Sequence, residues 1–225
     1  MNSMLRWMLA LALLVGAGAA RDAAAQWNVA RFGTTDPNQM YVSFGLDPAL
    51  VASVGYARDV RIAGQPWQLG VEAGVVTEDI DVQDFRARLV ARSALLRWRS
   101  LRLIGSAAFV TRGTENVIYR ALNFGGDFTG TVGVYKQRWF VAGEFGYDES
   151  VITYLTHSDW YRDHFYPDAR DGWYLNTDGT FHYGVTSGVA LGQTEIALRA
   201  GQRRTEDFNE LAQPYYLSMG LGVRF

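Results

Sequence analysis

Two segments of the chain concentrate side chains that could activate a water molecule. The first, TEDIDVQD, supplies neighbouring carboxylates, and the second, THSDWYRDHFYPDARDGW, supplies both carboxylates and imidazoles. A carboxylate pair placed opposite an Asp–His pair can hold a water and remove its proton. We therefore take four residues as candidate catalytic groups: Asp79, Asp81, Asp163 and His164.

A second set of charged residues recurs at alternate positions of otherwise apolar segments. If those segments are strands, alternate residues share one face of the sheet. Buried charges are tolerated only when they are paired and hydrogen-bonded, and the planar fork of arginine pairs well with carboxylates. The pattern predicts an interior charge network of Glu72, Arg86, Arg88, Arg92, Asp127, Glu144, Glu195 and Arg199, with Arg102, Asp148 and Arg224 on the same face.

Composition excludes several kinds of chemistry. The 225 residues include no cysteine, so thiol catalysis, zinc–thiolate sites and iron–sulfur clusters are excluded. The formal net charge of −2 gives no basic footprint for nucleic acid. Neither a G-x-S-x-G motif nor a phosphate-binding loop occurs. We expect no cofactor, no metal and no nucleic-acid partner.

The elements that carry these residues read as strands. Apolar and polar residues alternate clearly over Leu122–Val134, and the same period of two recurs almost to the end of the chain. An even count of about ten such segments suits a closed antiparallel transmembrane barrel, although 8–12 strands remain compatible with the pattern. The predicted strands are Met40–Leu46, Leu50–Val60, Trp67–Thr77, Phe85–Leu95, Leu101–Thr111, Leu122–Val134, Arg138–Glu149, Thr180–Leu191, Thr194–Arg204 and Tyr215–Phe225.

The connections between these segments alternate in length, as in barrels with short turns at one end and long loops at the other. The predicted tight turns are Arg61–Pro66, Arg99–Ser100, Lys136–Gln137 and Gly192–Gln193. The predicted long loops are Glu78–Asp84, Arg112–Ala121, Ser150–Gly179 and Thr205–Gln213, with Asp47–Pro48 as a short exception. Trp98 departs from the pattern, because simple alternation points it inward unless a bulge or an early strand end intervenes.

The N-terminus predicts export. An apolar run from Trp7 to Val15 is followed by small residues up to Ala25, which is the pattern of a secretory signal peptide. The run is shorter than the roughly 20 apolar residues of a membrane-spanning helix. Cleavage fits after Ala19 or Ala25, and we favour Ala25. The prediction is a signal peptide over residues 1–25 and one barrel domain over residues 26–225.

The final segment, YYLSMGLGVRF, resembles the C-terminal assembly signal of small Gram-negative outer-membrane β-barrel proteins. In that class the last strand alternates apolar residues and ends in an aromatic residue. The resemblance implies that Tyr215 and Phe225 form an assembly signal read by the barrel-assembly machinery. It also implies location in the outer membrane, with outer-membrane lipid and lipopolysaccharide as partners.

The acidic and histidine-bearing segments also resemble the rim of the omptin proteases. Those ten-stranded barrels carry an Asp pair and an Asp–His pair, which the resemblance places at Asp79 with Asp81 and at Asp163 with His164. This chain departs from the family, since Asp163 and His164 are adjacent where omptins have one intervening residue, and since it is much shorter. The acidic loops equally suit simple solvation, or binding of divalent cations that bridge lipopolysaccharide.

The expected function follows from barrel size. Barrels of about eight strands are filled by side chains, whereas open aqueous channels appear near 16 strands. We therefore expect an integral outer-membrane barrel with a filled polar lumen and a structural, adhesive or narrow-transport role. The alternatives are a hydrolase acting at the rim, a small-solute channel, and a soluble lipid-binding barrel with its apolar face inside. The long Ser150–Gly179 loop is a candidate contact site for a partner.

Overall fold

Each strand pairs antiparallel with its neighbour in sequence, and the last pairs with the first. This architecture is seen in a computed structural model that describes residues 28–32, 36–46, 50–77 and 84–225. The predicted closed antiparallel barrel of ten strands is confirmed. The predicted signal peptide and the candidates Asp79 and Asp81 lie outside the described residues.

Ten strands and two short helices make up the described chain. The strands are β1 (Asn38–Leu46), β2 (Leu50–Ile62), β3 (Gln65–Val76), β4 (Phe85–Trp98), β5 (Leu101–Glu115), β6 (Tyr119–Tyr135), β7 (Trp139–His157), β8 (Gly172–Leu191), β9 (Thr194–Thr205) and β10 (Glu210–Arg224). A single 3-10 turn covers Val29–Arg31, and helix α1 covers Asp159–His164. No helix in the described part of the chain is long and apolar enough to span a membrane.

Closure is achieved between β1 and β10. Their register runs from Gln39 opposite Arg224 to Leu46 opposite Leu217. The pairing continues past the end of β10, because Asn38 and Phe225 exchange backbone hydrogen bonds of 3.1 and 3.2 Å. The closed sheet therefore has no unpaired edge along this seam.

The two ends of the barrel differ in their connections. At one end, which we call the short-turn rim, the strands are joined by residues 63–64, 99–100, 136–138 and 192–193. The first of these is a two-residue turn in which Ala63 and Gly64 both have positive φ, the geometry that suits the twist of a hairpin. The other end, the hairpin rim, carries the connection from β7 to β8 with helix α1.

Two of the predicted long loops are wrong, because the strands continue through them. Only residues 116–118 separate β5 from β6, where Arg112–Ala121 was predicted as loop. Likewise β7 and β8 extend over most of Ser150–Gly179 and leave residues 158–171 between them. The register shifts where Ser150 and then Ile152 pair with β8, so Val151 is an extra residue on β7. Such a bulge reverses the alternation, which hides the continuing strand from a period-two reading.

A second bulge explains Trp98. The pairing of β4 with β5 shifts between Ala94 and Leu96, so the residues beyond it change face. Trp98 is consequently 69% exposed on the outside of the barrel. Of the two explanations open from the sequence, the bulge is the one observed.

The two faces of the sheet have opposite chemistry. The outward face carries exposed Leu, Val and Phe side chains on every strand, such as Leu89, Phe128 and Phe145. The inward face carries buried polar and charged residues, including Asp127, Glu144 and Arg224. This is the reverse of a soluble protein, in which apolar residues fill the core.

Candidate functional site

The middle of the lumen is crossed by a band of ion pairs, which we call the ion layer. Its first pair joins β4 to β6: the Arg88 guanidinium lies 2.6 Å from Asp127 Oδ2. The Thr129 hydroxyl donates to the other oxygen of Asp127 at 2.8 Å. Both carboxylate oxygens therefore have partners, as a buried carboxylate requires. The members of the ion layer are Arg86, Arg88, Arg112, Asp127, Glu144, Asp148, His182 and Arg199.

Glu144 on β7 is the most densely bonded carboxylate of the layer. Arg199 Nε donates to its two oxygens at 2.7 and 2.9 Å, and Arg199 Nη2 lies 2.5 Å from Oε1. The Tyr216 hydroxyl donates to the same oxygen at 3.0 Å, and the Arg199 guanidinium lies 5.1 Å from the Tyr216 ring centre. The three residues form a unit that ties β7 to β9 and β10 across the lumen.

His182 connects the two groups of ion pairs. Its Nε2 lies 3.1 Å from the Thr129 hydroxyl and 4.0 Å from Glu144 Oε1. Gly146 makes this position possible, since a Cβ there would lie 2.3 Å from His182 Nε2 and 2.7 Å from the Phe128 carbonyl oxygen. A residue larger than glycine at this point of β7 would displace the imidazole.

Nearer the hairpin rim, two arginines share one carboxylate. Arg112 donates to Asp148, and Arg86 Nη2 lies 3.5 Å from the same oxygen. Arg112 also donates to Asn123 Oδ1 at 3.2 Å, and Asn123 in turn donates to the Thr153 hydroxyl at 2.8 Å. The network therefore reaches from the mid-lumen into the extended part of β7.

The short-turn end of the lumen is filled differently. Residues 28–32, here called the plug, fold into the barrel and place Val29 against Ile104, Tyr135 and Phe140. Arg102 donates to the Val29 carbonyl at 2.7 Å, and the amide of Asn28 donates to the Lys136 carbonyl at 2.7 Å. An apolar cluster thus covers this end of the lumen, with hydrogen bonds to backbone carbonyls holding it in place.

Beside the plug lies a buried pair that closes the barrel seam. Arg224, only 1% exposed, donates to Asp59 at 2.9 Å and to the Arg31 carbonyl at 2.8 Å. Gln68 donates to Gln39 at 2.8 Å and to Asp59 at 3.3 Å. The pair joins the C-terminal strand to β2 and to the plug at once.

The sequence-predicted lumen residues fall into three places. Arg86, Arg88, Asp127, Glu144 and Arg199 join in the ion layer. Glu72 and Arg92 lie on the side toward the short-turn rim, where Glu72 accepts from the Tyr41 hydroxyl at 2.9 Å and Arg92 Nη1 donates to Gln68 at 3.4 Å. Glu195 is fully buried at the short-turn end, away from the layer. Sequence reasoning missed Arg112, assigned to a loop, and His182, although its position between the outward Phe181 and Tyr183 marks it as inward.

The predicted catalytic residues that can be placed do not form a pair. Asp163 and His164 lie on α1, where His164 Nδ1 is 2.9 Å from the Trp160 carbonyl oxygen and its ring stacks on Trp160. Asp163 has no hydrogen bond or ion pair with any described residue. The described part of the chain also holds no group of three His, Asp and Glu residues suited to a metal ion.

A different Asp–His contact exists at the hairpin rim. Asp171 accepts the backbone N–H of His157 at 2.8 Å, its Oδ1 lies 3.2 Å from His157 Nδ1, and Arg162 lies 2.5 Å from its Oδ2. These three residues, which we call the latch, bind α1 to the ends of β7 and β8. The backbone hydrogen bond from His157, together with Arg162, holds the pKa of Asp171 below its ordinary value of 3.8.

The latch has the appearance of a structural contact. Ser158 caps α1 by accepting the Tyr161 N–H at 3.1 Å and donates to the Val117 carbonyl at 2.6 Å, which fixes the helix to the neighbouring β5–β6 turn. The Tyr161 ring stacks on His157. Beyond the latch, the tip presents Trp160, Phe165 and Tyr166 to solvent. A braced hairpin with an aromatic tip can contact another surface without having to order itself first.

Comparison with protein-family models and with curated proteins gives no match to this chain.

We predict strong coupling between Glu144 and Arg199. Glu144→Leu or Arg199→Leu alone should lower the free energy of unfolding by about 3–5 kcal/mol, because each leaves a buried charge unpaired. The double variant should cost clearly less than the sum of the two. Urea unfolding of the refolded barrel, followed by tryptophan fluorescence, measures all three values.

The exposed pair Arg120–Glu115, with 3.5 Å between Nε and Oε2, is the matched control. Its coupling should stay within about 0–1 kcal/mol. Additive costs for Glu144 and Arg199 would contradict the ion-layer energetics.

We also predict that the latch opens in acid. A carboxyl whose pKa is lowered on folding stabilises the folded contact above its ordinary pKa and loses that effect as pH falls through the lowered value. Hydrogen-exchange protection of the Arg162 and Phe165 amides, corrected for intrinsic rates, should therefore hold at neutral pH and fall below pH 3.8. Asp171→Asn should remove the pH dependence and lower protection at neutral pH. Asp163→Asn should behave as the unaltered chain, and equal effects of the two substitutions would refute the latch.

Proposed function

We propose that the chain is an integral barrel of the bacterial outer membrane with a non-conducting lumen, acting as a structural and surface-recognition protein. The observation that carries the proposal is the inverted distribution of side chains around a closed sheet. Large apolar residues such as Leu89 and Leu217 cover the outside, while ion pairs fill the inside. Only an apolar surrounding makes that arrangement favourable, because exposed apolar area in water is costly.

Strand length supports the same proposal. A tilted spanning strand needs about 9–11 residues. Nine of the strands, β2 to β10, have 12 or more, and β8 has 20. The excess in β6, β7 and β8 lies at the hairpin rim, so these strands would extend beyond the hydrocarbon layer and present α1 outside it.

The C-terminal strand fits assembly in that membrane. Tyr215, Leu217, Met219 and Leu221 point outward and are exposed, as is Phe225. We propose that Tyr215 and Phe225 serve as the assembly signal that the barrel-assembly machinery reads, with outer-membrane lipid and lipopolysaccharide as the surrounding partners. The N-terminal segment, residues 1–25, would direct export and be removed.

The lumen favours a role other than passive transport. The plug covers the short-turn end and the ion layer crosses the middle, so a solute would have to displace both. The braced hairpin supports recognition instead, because it offers exposed aromatic residues on a fixed support. Aromatic residues are enriched where proteins contact partners. The partner of this hairpin is proposed only as a surface that accepts aromatic side chains.

We predict that Val71→Arg separates a membrane barrel from a soluble one. Val71 is 49% exposed on the outer wall near the middle of β3. Arginine at the bilayer midplane costs about 2–4 kcal/mol, so the free energy of unfolding in lipid vesicles should fall by that amount. In a soluble barrel the same exposed substitution would change little.

Val117→Arg is the control, because Val117 is 68% exposed in the β5–β6 turn beyond the proposed hydrocarbon layer. It should change stability by less than about 0.5 kcal/mol. Equal effects of the two substitutions, or recovery of the native chain in the soluble fraction after carbonate extraction, would refute the membrane proposal.

We further predict that the purified barrel gives no large, steady current in a planar lipid bilayer. Opening the ion layer requires separation of buried pairs, and each unpaired charge costs about 3–5 kcal/mol. Thermal motion rarely supplies this, since 1.4 kcal/mol already lowers a population tenfold. A 16-stranded porin recorded in the same bilayers verifies insertion and detection. A stable current of porin size from this chain would make solute transport the leading function.

A further inference from the structure

Between the plug and the ion layer lies a cavity of about 180 Å³. Val29 and Phe32 of the plug bound it on one side, and Glu144 and Arg199 of the ion layer bound it on the other. Its volume is slightly greater than the roughly 150 Å³ cavity that accommodates benzene in an engineered protein. A ligand of about six heavy atoms is therefore the size that fits.

The walls of the cavity are chemically unequal. Strands β1, β2 and β10 contribute the small hydroxyl residues Ser43, Ser53 and Ser218. Strands β4 and β9 contribute guanidinium groups. The lining arginines are Arg86, Arg88, Arg92 and Arg199. A hydroxyl wall thus faces a guanidinium wall, and both can donate hydrogen bonds to one small acceptor.

Three of the four arginines already have carboxylate partners. Arg86 pairs with Asp148, Arg88 with Asp127 and Arg199 with Glu144. Arg92 differs, because no carboxylate among the described residues lies within 4.0 Å of it, and its one hydrogen bond is the 3.4 Å contact with the Gln68 side-chain oxygen. A cation enclosed in a barrel without a counter-charge is costly.

Other groups in the cavity do not neutralise Arg92. Glu72, the nearest lining carboxylate by strand position, accepts from the Tyr41 hydroxyl instead. Ser43 and Ser53 bond to each other at 2.8 Å, whereas Ser218 has no hydrogen bond to a described residue. Arg92 and Ser218 therefore retain donor capacity on opposite sides of one small cavity.

We propose that this cavity binds a compact oxyanion, a carboxylate or a phosphate, with Arg92 as its counter-charge and Ser218 as a hydroxyl donor. The planar guanidinium can donate two parallel hydrogen bonds to two oxygens of either group. The binding site depends on the lumen geometry alone, so it does not rest on the membrane location or the recognition role proposed above.

The position of the cavity predicts slow exchange. The plug is held by Arg102 and by the Arg31 Nη1 bond to the Gly192 carbonyl at 3.0 Å, so entry from that end requires displacement of residues 28–32. The anion should therefore be supplied while the protein refolds. Once enclosed, it should be retained through a desalting column.

The test is refolding of the full mature chain in detergent with phosphate, with acetate, or with chloride at equal ionic strength. We expect a higher unfolding midpoint with phosphate or acetate than with chloride, and about one isotope-labelled anion retained per chain. Arg92→Gln should weaken retention at least tenfold, and Arg92→Lys should weaken it less, because it keeps the charge without the planar fork. Ser218→Ala should weaken it several-fold with the charge unchanged.

Arg120→Gln is the matched control, since it removes one arginine charge from a side chain that is 66% exposed. It should retain anion as the unaltered chain does. Phosphate-only or acetate-only retention that depends on Arg92 supports the proposal and identifies the preferred class. Equal stabilisation by chloride, no retained anion, or retention unchanged in both Arg92 variants would overturn it.

Discussion

Closure of the sheet between β1 and β10 is the constraint on which the rest of the structure depends. Once the last strand pairs with the first, every second side chain must enter a common interior. With ten strands this interior is close to the size that side chains fill by themselves. Charged residues placed there have little water to solvate them, so each needs a partner within the lumen.

The partners are chosen across the lumen rather than along the sheet. Glu72 and Arg88 face each other on β3 and β4, yet Arg88 bonds to Asp127 on β6. A long arginine side chain reaches inward to strands that are not its neighbours, and the barrel curvature brings those strands within reach. The ion layer thereby joins β4, β6, β7 and β9, which adjacent-strand hydrogen bonds alone would leave connected only through intermediates.

Alternation was sufficient to predict the closed ten-stranded barrel, because period-two patterning is what a two-faced sheet requires. It failed at bulges, where one extra residue such as Val151 reverses the faces and makes a continuing strand resemble a loop. Inward positions were predictable for residues such as Asp127, but their partners were not, since strand register says nothing about contacts across a lumen. The rim Asp–His contact was predicted at the wrong residues, because Asp171 reaches His157 only through the fold of the hairpin.

The two coverings of the lumen have different physical bases, and this determines where activity can lie. The plug is held by apolar packing and by hydrogen bonds to backbone carbonyls, whereas the ion layer is held by charge pairs between strands of the barrel wall. Movement of the plug would expose the cavity but leave the ion layer intact. A ligand could then reach Arg92 from the short-turn end without crossing the barrel. Binding inside the lumen is thus compatible with an absence of conduction, and contacts made at the hairpin rim need not depend on either.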